Sequence, residues 1–423
     1  MTIEQANAYF ASLPEGFAPA RQLQEALSAK AGRVDYLGVA GTAGKTTAAA
    51  LTAAVLRAAG LVTGSYHAGC EPLSARIRVN GEPVAPELLA QAAEILSARE
   101  TLPRAAAELA AAARCFGEAG CALAVVELPD AGLAEALPKM PVCAVTSIGP
   151  DGISASLERS AALAAGVMRK GSICVTAPEQ PKAVVSELIV AAGKADCELV
   201  VPDPDDITFL EAEKFVSRVD YGGYTVPLAF LGRHAAGSAA IAVELALALA
   251  LCKKGYDIPD EAILEGLAAV ENRSSIRVLS QRPLVVLDAC RTPQQAIALL
   301  RVLNMAKVRH LSAVIGLAEE EGAEAFFSAL ESGLTAETQK KDRTTMPGMS
   351  ENPFDKVFLV PPAGTDAAMT ERLLEKARYH FDAELCGSLA EAVELARANS
   401  RRGLLICGGE AIALEAADLL AEK

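Results

Sequence analysis

Apolar positions along the chain recur in two alternating rhythms. Short β-branched runs at 34–41, 122–128, 141–148, 171–177 and 197–203 are separated by Ala/Leu/Glu-rich stretches of helical spacing at 46–59, 86–97, 105–116, 156–168 and 181–194. Strand-length runs alternating with amphipathic helices predict a parallel sheet with crossover helices. Two more helices, 237–253 and 260–270, are expected to pack over that sheet as a pair. The alternation then restarts, with strands expected at 284–290, 310–316, 356–362 and 403–409. Helices are expected between and after them, near 293–305, 323–330, 366–380, 389–398 and 411–421.

The tetrapeptide Ser-Gln-Arg-Pro at 280–283 interrupts two apolar patterns and marks a boundary between domains 1–280 and 281–423. A chain of 423 residues has room for two or three domains at roughly 150 residues each. The predicted fold is α/β: a P-loop ATPase-type parallel sheet domain followed by a smaller Rossmann-like α/β domain. The most loop-like interior stretch is 340–352.

Charge and cysteine usage narrow the function classes. With 39 Lys+Arg against 53 Asp+Glu the net charge is −14, which argues against a general nucleic-acid or acidic-membrane binder. The N-terminus has no basic segment ahead of an apolar one, and no apolar run reaches the ~18 residues of a membrane span. A cytoplasmic, unprocessed chain is expected. The 10 cysteines are scattered within apolar runs, with no C-x-x-C, which fits buried reduced thiols. Only 4 His are present, too few for a His-rich metal centre.

The strongest local signal is the segment Gly38-Val39-Ala40-Gly41-Thr42-Ala43-Gly44-Lys45-Thr46-Thr47, between an apolar strand and a long helix. Glycines let backbone N–H groups turn onto phosphate oxygens, and the helix N-terminus adds its dipole. Lys45 then reaches the β/γ-phosphates and the Thr46 hydroxyl can ligate Mg²⁺. The spacing departs from the standard loop, because the glycine expected five residues before Gly44 is Val39, with Gly38 one step earlier. A plain glycine-rich turn is the alternative. Glu127, at the end of the run ALAVVE, could hold Mg²⁺ beside that loop or simply be a solvated strand end.

These residues resemble the Mur ligase superfamily, whose phosphate loop displaces its glycine in the same way, and above all its folylpolyglutamate synthase/dihydrofolate synthase branch. ALAVVEL resembles the strand whose Glu binds Mg²⁺, and 144–188 follows the branch in layout. FLGRHAAGSAA at 230–240 resembles its Gly-x-His-Gln-x-x-Asn helix start, and VVLDACRTP at 285–293 its Asp-x-Ala-His-Asn-Pro element. The resemblance implies a ligase that uses Mg·ATP to convert a carboxylate to an acyl phosphate, which an amine then attacks. In the branch the carboxylate belongs to a folate and the amine to glutamate.

Several family residues are replaced. The metal-site His is Gly152 after Asp151, the carbamylated Lys is Ala164, and the Gln and Asn of the helix start are Ala235 and Ser238. In the last element His and Asn are Arg291 and Thr292, the linker Gly-Arg-x-Glu keeps only Arg273, and the folate-side stretch is altered around Ala68-Gly69-Cys70.

The expectation is therefore an ATP-dependent amide ligase with ATP and Mg²⁺ as cofactors. Its substrates would be a small folate-like carboxylate and an amino acid such as glutamate, and it would act as a monomer without nucleic-acid or membrane partners. Gly41, Thr42, Ala43, Gly44, Lys45, Thr46 and Thr47 would hold the phosphates, with Thr46 and Glu127 on the metal. His234 would lie by the nucleotide or cap its helix. Arg273 and Asp288 would close the second domain over the nucleotide, and Arg291 would replace the missing His as a phosphate contact. The losses at Gly152 and Ala164 also favour a competing reading: a nucleotide-binding protein with a regulatory or partner-binding role and impaired catalysis.

Overall fold

The computed structural model describes residues 1–332 and 354–421, apart from Phe17, Glu100, 151–155, Lys214, Lys253, 273–274, 363–364 and Arg401. After helices α1 (Ile3–Ala11) and α2 (Ala20–Ala26), the first sheet is built from eight strands. They are β1 (Asp35–Ala40), β2 (Thr63–Tyr66), β3 (Ile77–Val79), β4 (Glu82–Pro83), β5 (Leu123–Glu127), β6 (Val142–Val145), β7 (Ile173–Thr176) and β8 (Glu198–Val200). Helices α3 (Lys45–Ala58), α4 (Leu73–Arg76), α5 (Pro86–Ser97), α6 (Arg104–Glu118), α7 (Leu157–Ala164) and α8 (Lys182–Ala195) connect them.

The order is β4-β3-β2-β5-β1-β6-β7-β8, parallel throughout except for the β2–β3–β4 meander at one edge. β1 lies between β5 and β6, so the loop leaving it emerges where helices diverge to opposite faces, the usual ligand crevice of such sheets. β1, β5 and β6 are buried along their whole length, which explains their nearly unbroken apolar sequences.

The stretch after β8 departs from the expected alternation. β9 (Ile207–Glu213), β10 (Val216–Tyr221) and β11 (Tyr224–Leu228) form a separate antiparallel sheet. Its period-2 pattern buries Val219, Tyr221, Val226 and Leu228 against α9 (Arg233–Leu251) and α10 (Asp260–Ala268), while Asp220 stays half-buried and Thr225 and Pro227 are exposed. The two helices do not pack as a pair over the sheet: each packs chiefly on α3. Gly266 permits the α10 crossing, since a Cβ there would lie 2.4 Å from the Val55 backbone.

α9 also corrects the reading of the apolar runs. Its 19 residues contain an 18-residue window of mean hydropathy 1.7, long and apolar enough to cross a membrane, yet 67% of that window is buried inside the protein. A helix covered on nearly all sides has no face to keep polar.

The second sheet comprises β12 (Arg277–Gln281), β13 (Leu284–Leu287), β14 (Leu311–Ile315), β15 (Phe354–Leu359), β16 (Ala383–Leu385) and β17 (Gly403–Cys407). Its order is β12-β13-β17-β14-β15-β16, parallel except for the β12–β13 hairpin. The boundary expected at 280–281 therefore falls within a hairpin of this sheet, whose first strand begins at Arg277. Helices α11 (Pro293–Met305), α12 (Ala323–Ser332), α13 (Ala367–Arg378), α14 (Leu389–Asn399) and α15 (Glu410–Ala421) cover it. The stretch 340–352 lies outside the described residues.

Candidate functional site

A cleft of about 1700 Å³ lies between the two sheets' domains, and the loop after β1 forms part of its wall. Two glycines shape that loop. Gly41 has φ +138°, and a Cβ on it would sit 2.2 Å from Thr146 Oγ1; Gly44, at φ +83°, is the residue from which α3 starts. Both conformations are open to glycine and costly for other residues. Gly38 serves another purpose. It sits within β1, tightly against Met140, Val167 and Leu128, so it is a packing glycine outside the loop.

The loop's donors are unequally available. Thr42 and Ala43 N–H both donate to the Ser147 carbonyl, at 3.2 and 3.1 Å, so these two amides are committed within the protein. Those of Lys45, Thr46 and Thr47 lie in the first turn of α3, where a helix offers them no internal acceptor. The anion-binding end of the loop is thus narrower than the 42–47 span expected. Lys45 Nζ donates to the Gly41 carbonyl at 2.8 Å, which folds the ammonium back over the loop.

The Thr46 hydroxyl donates to Glu127 Oε2 at 3.0 Å. Glu127 ends β5, in register with Val39 of β1, and is 4% exposed. Burial raises its pKa, opposed by the Lys45 charge and the Thr46 hydrogen bond. A desolvated carboxylate and a hydroxyl, both hard oxygen donors, fit a small divalent cation that keeps most of its other positions for water and phosphate.

His234 opens α9 on the cleft wall, beside Gly232. The side chain is open to the cleft, yet the protein atoms around it, and then the Arg301 cation, lower its pKa to about 4, so the imidazole is neutral at physiological pH. Ser238, one turn on, approaches Gly44. Asp288 is buried, and both its oxygens are engaged: Oδ2 accepts from Ile276 N–H at 2.7 Å and Oδ1 from Cys290 N–H at 2.9 Å. It ties the interdomain linker to the turn after β13. Arg291 is exposed on the cleft wall, 3.7 Å from Glu319. The Cys290 thiol is pushed well up by burial and then by Cys407, as suits an inert core thiol.

The cleft thus brings together Gly41 to Thr47, Glu127, His234, Asp288 and Arg291. Arg273 and the Asp151-Gly152 pair lie outside the described residues. Ala164 is 7% exposed at the end of α7, packed into the core of the first domain.

Comparison of the whole chain with solved structures shows that its shape is a known one. It superposes on Mycobacterium tuberculosis folylpolyglutamate synthase complexed with ADP with TM-score 0.81 and 20% identity, covering 100% of this chain and 98% of that one. The fold is that of the folylpolyglutamate synthases. An E. coli FolC in complex with DHPP and ADP matches over 100% of this chain and 98% of its own, with TM-score 0.79 and 20% identity. In sequence, the chain is 30% identical over 233 residues to human (Homo sapiens) mitochondrial folylpolyglutamate synthase, 51% of this chain and 37% of that protein. A probable bifunctional folylpolyglutamate synthase/dihydropteroate synthase from Haloferax volcanii is 26% identical over 388 residues, 84% of this chain and 44% of the relative. The chain therefore spans less than half the length of these relatives. No family model matches. Both sequence and fold agree with the branch that the motifs resemble.

Three cleft residues escaped the sequence reading. Gln294, Ser147 and Glu410 make contacts across the domain junction: Gln294 Nε2 donates to Ser147 Oγ at 2.7 Å, and Cys70 N–H donates to Glu410 Oε2 at 3.0 Å. Local pattern contains no sign of such pairs, because the partners are 147 and 340 residues apart. The one usable signal was Thr292-Pro293, a helix cap that fixes where Gln294 starts its turn.

Proposed function

We propose that the chain is a Mg·ATP-dependent acid–amino-acid ligase that joins glutamate, or a similar amine, to a folate-like carboxylate. The carrying observation is the assembled phosphate end of the cleft: Lys45 over the loop, free first-turn amides, and the Thr46–Glu127 oxygen pair at 3.0 Å. The relatives whose names state folylpolyglutamate synthase support the substrate class.

In this reading the α3 N-terminus and Lys45 bind the β- and γ-phosphates, Lys45 exchanging its Gly41 carbonyl for phosphate oxygen. Thr46 and Glu127 would hold Mg²⁺, which would supply charge neutralisation at the phosphates. The substrate carboxylate attacks the γ-phosphorus, ADP leaves, and an acyl phosphate forms. The amine then attacks the acyl carbon, phosphate departs, and the amine gives up a proton. Positioning and charge complementarity supply most of the catalysis. Neutral His234 stands at the nucleoside side, and Arg291 offers a guanidinium to the phosphates from the second domain. The enzyme works in the cytoplasm.

Purified protein incubated with Mg·ATP, glutamate and a panel of folates and other carboxylates tests this by ADP release and product mass. ATP binding without substrate-dependent ADP release would sink the ligase reading and leave the impaired nucleotide-binding protein, which Gly152 and Ala164, in place of a metal-site His and Lys, together favour.

A further inference from the structure

Gln294 occupies an unusual position: a side chain of the second domain is hydrogen-bonded into the phosphate loop of the first. α11 begins with a capping box, the Thr292 hydroxyl accepting from Gln295 N–H with Pro293 in the first helical position. That cap places Gln294 on a rigid first turn. Its own N–H donates to the Pro150 carbonyl of the first domain at 3.3 Å. Its side chain bridges two residues that shape the loop. Nε2 donates to Ser147 Oγ at 2.7 Å, and Oε1 accepts from the Thr42 hydroxyl at 2.8 Å.

Ser147 and Thr42 are the residues through which the loop is held. The Ser147 carbonyl accepts both Thr42 and Ala43 amides and lies 3.0 Å from the Thr42 hydroxyl, which in turn accepts from Gly149 N–H at 2.9 Å. Gly149 is a glycine for the same contact, since a Cβ there would lie 2.4 Å from the Gln294 amide carbon. The loop conformation therefore rests on a network with one member in the other domain. Removing that member takes its donor from the Ser147 hydroxyl and one of the bonds that fix the Thr42 hydroxyl in a half-buried site, leaving Thr42 held only from within the first domain.

We infer that Gln294 is a positioning residue: through Thr42 and Ser147 it sets the phosphate loop, so the loop holds its anion-binding shape only while the second domain is docked. The effect on nucleotide rests on the proposed function; the effect on the loop does not. Nucleotide affinity and domain docking become linked, because whatever separates the domains also loosens the loop.

Hydrogen exchange on the full chain, without nucleotide, reads the loop directly. Gln294→Met keeps the side-chain length and removes both hydrogen bonds. Exchange in segments 40–47 and 146–150 should quicken by about tenfold, with α6 and α12 unchanged. Mg·ADP affinity should fall by about tenfold. Thr42→Val should act likewise, and the double variant should be little worse than either single one. Unchanged exchange in both segments, or fully additive effects, overturns the inference. Should Gln294→Met unfold globally, Ser147→Ala, which removes only the acceptor of Nε2, must still quicken the loop, and its failure to do so is equally fatal. Wild-type protein that binds no ADP would refute the nucleotide reading while loop exchange still judges the positioning role.

Discussion

The Thr46 hydroxyl meets Glu127 Oε2 at 3.0 Å, joining the first turn of α3 to the last residue of β5. Two elements 81 residues apart thus present a hydroxyl and a carboxylate to one point beside Lys45. Neither residue alone distinguishes a cation site from a strand end or a helix start; their meeting is what supports the cation site proposed above.

Lys45→Ala should weaken Mg·ATP binding by ten- to a hundredfold, the loss expected for one charge-assisted hydrogen bond to phosphate. Isothermal titration of both proteins under equal salt checks this.

Glu127→Gln should divide two effects. The neutral amide avoids the cost of a desolvated charge, so the nucleotide-free protein should melt about 2 °C higher or more. The gain in melting temperature that Mg²⁺ adds to bound ADP should shrink sharply, as a ligand that binds the native state stabilises it in proportion to its affinity. Thermal melts with and without Mg²⁺ measure both.

Arg76 and Glu108, 4% and 5% exposed, form a two-pronged ion pair at 2.7 and 2.6 Å, and the Tyr66 hydroxyl donates to the same carboxylate at 2.8 Å. Arg76 also donates to the Glu71 carbonyl, which pins the loop carrying Gly69 and Cys70. Glu108→Ala should cost about 3 kcal/mol, because it strands a buried guanidinium. Burial would raise the Glu108 pKa, but Arg76 and Tyr66 outweigh it and the net shift is downward from 4.5. The wild-type protein thus holds this stabilisation above pH 4.5 and loses it as pH falls through the lower folded value. Urea unfolding of wild type and Glu108→Ala between pH 3 and 7 should show curves that converge toward the acid end.

Cys70 is exposed, yet burial on one side and then the Glu410 carboxylate push its thiol up to about 11 from 9.0. Alkylation at pH 8 should run roughly a hundredfold slower than for an unperturbed thiol, following the thiolate fraction. Glu410→Gln should speed it, and mass spectrometry of the peptide holding Cys70 reports the rate. Equal rates in the two proteins would show that Glu410 does not govern the Cys70 thiol across the junction.

Chain pattern by itself determined much of the architecture. Buried parallel strands such as 122–128 must be apolar throughout, and Gly-Lys-Thr between a strand and a helix carries its phosphate chemistry in local geometry. It also placed Lys45, Thr46 and Glu127 as partners through their resemblance to known ligases. The antiparallel β9–β11 sheet was missed because short strands with polar faces read as loop without their neighbours. What only the tertiary structure decided were distances between residues far apart in the chain. It showed that Asp288 spends both oxygens on backbone amides, that Ser147 takes two of the loop's donors, and that Gln294 reaches across the junction to Thr42. Hydrogen bonds act over about 3 Å, and a linear pattern fixes spacing only along one element, so contacts between elements appear once the chain has folded.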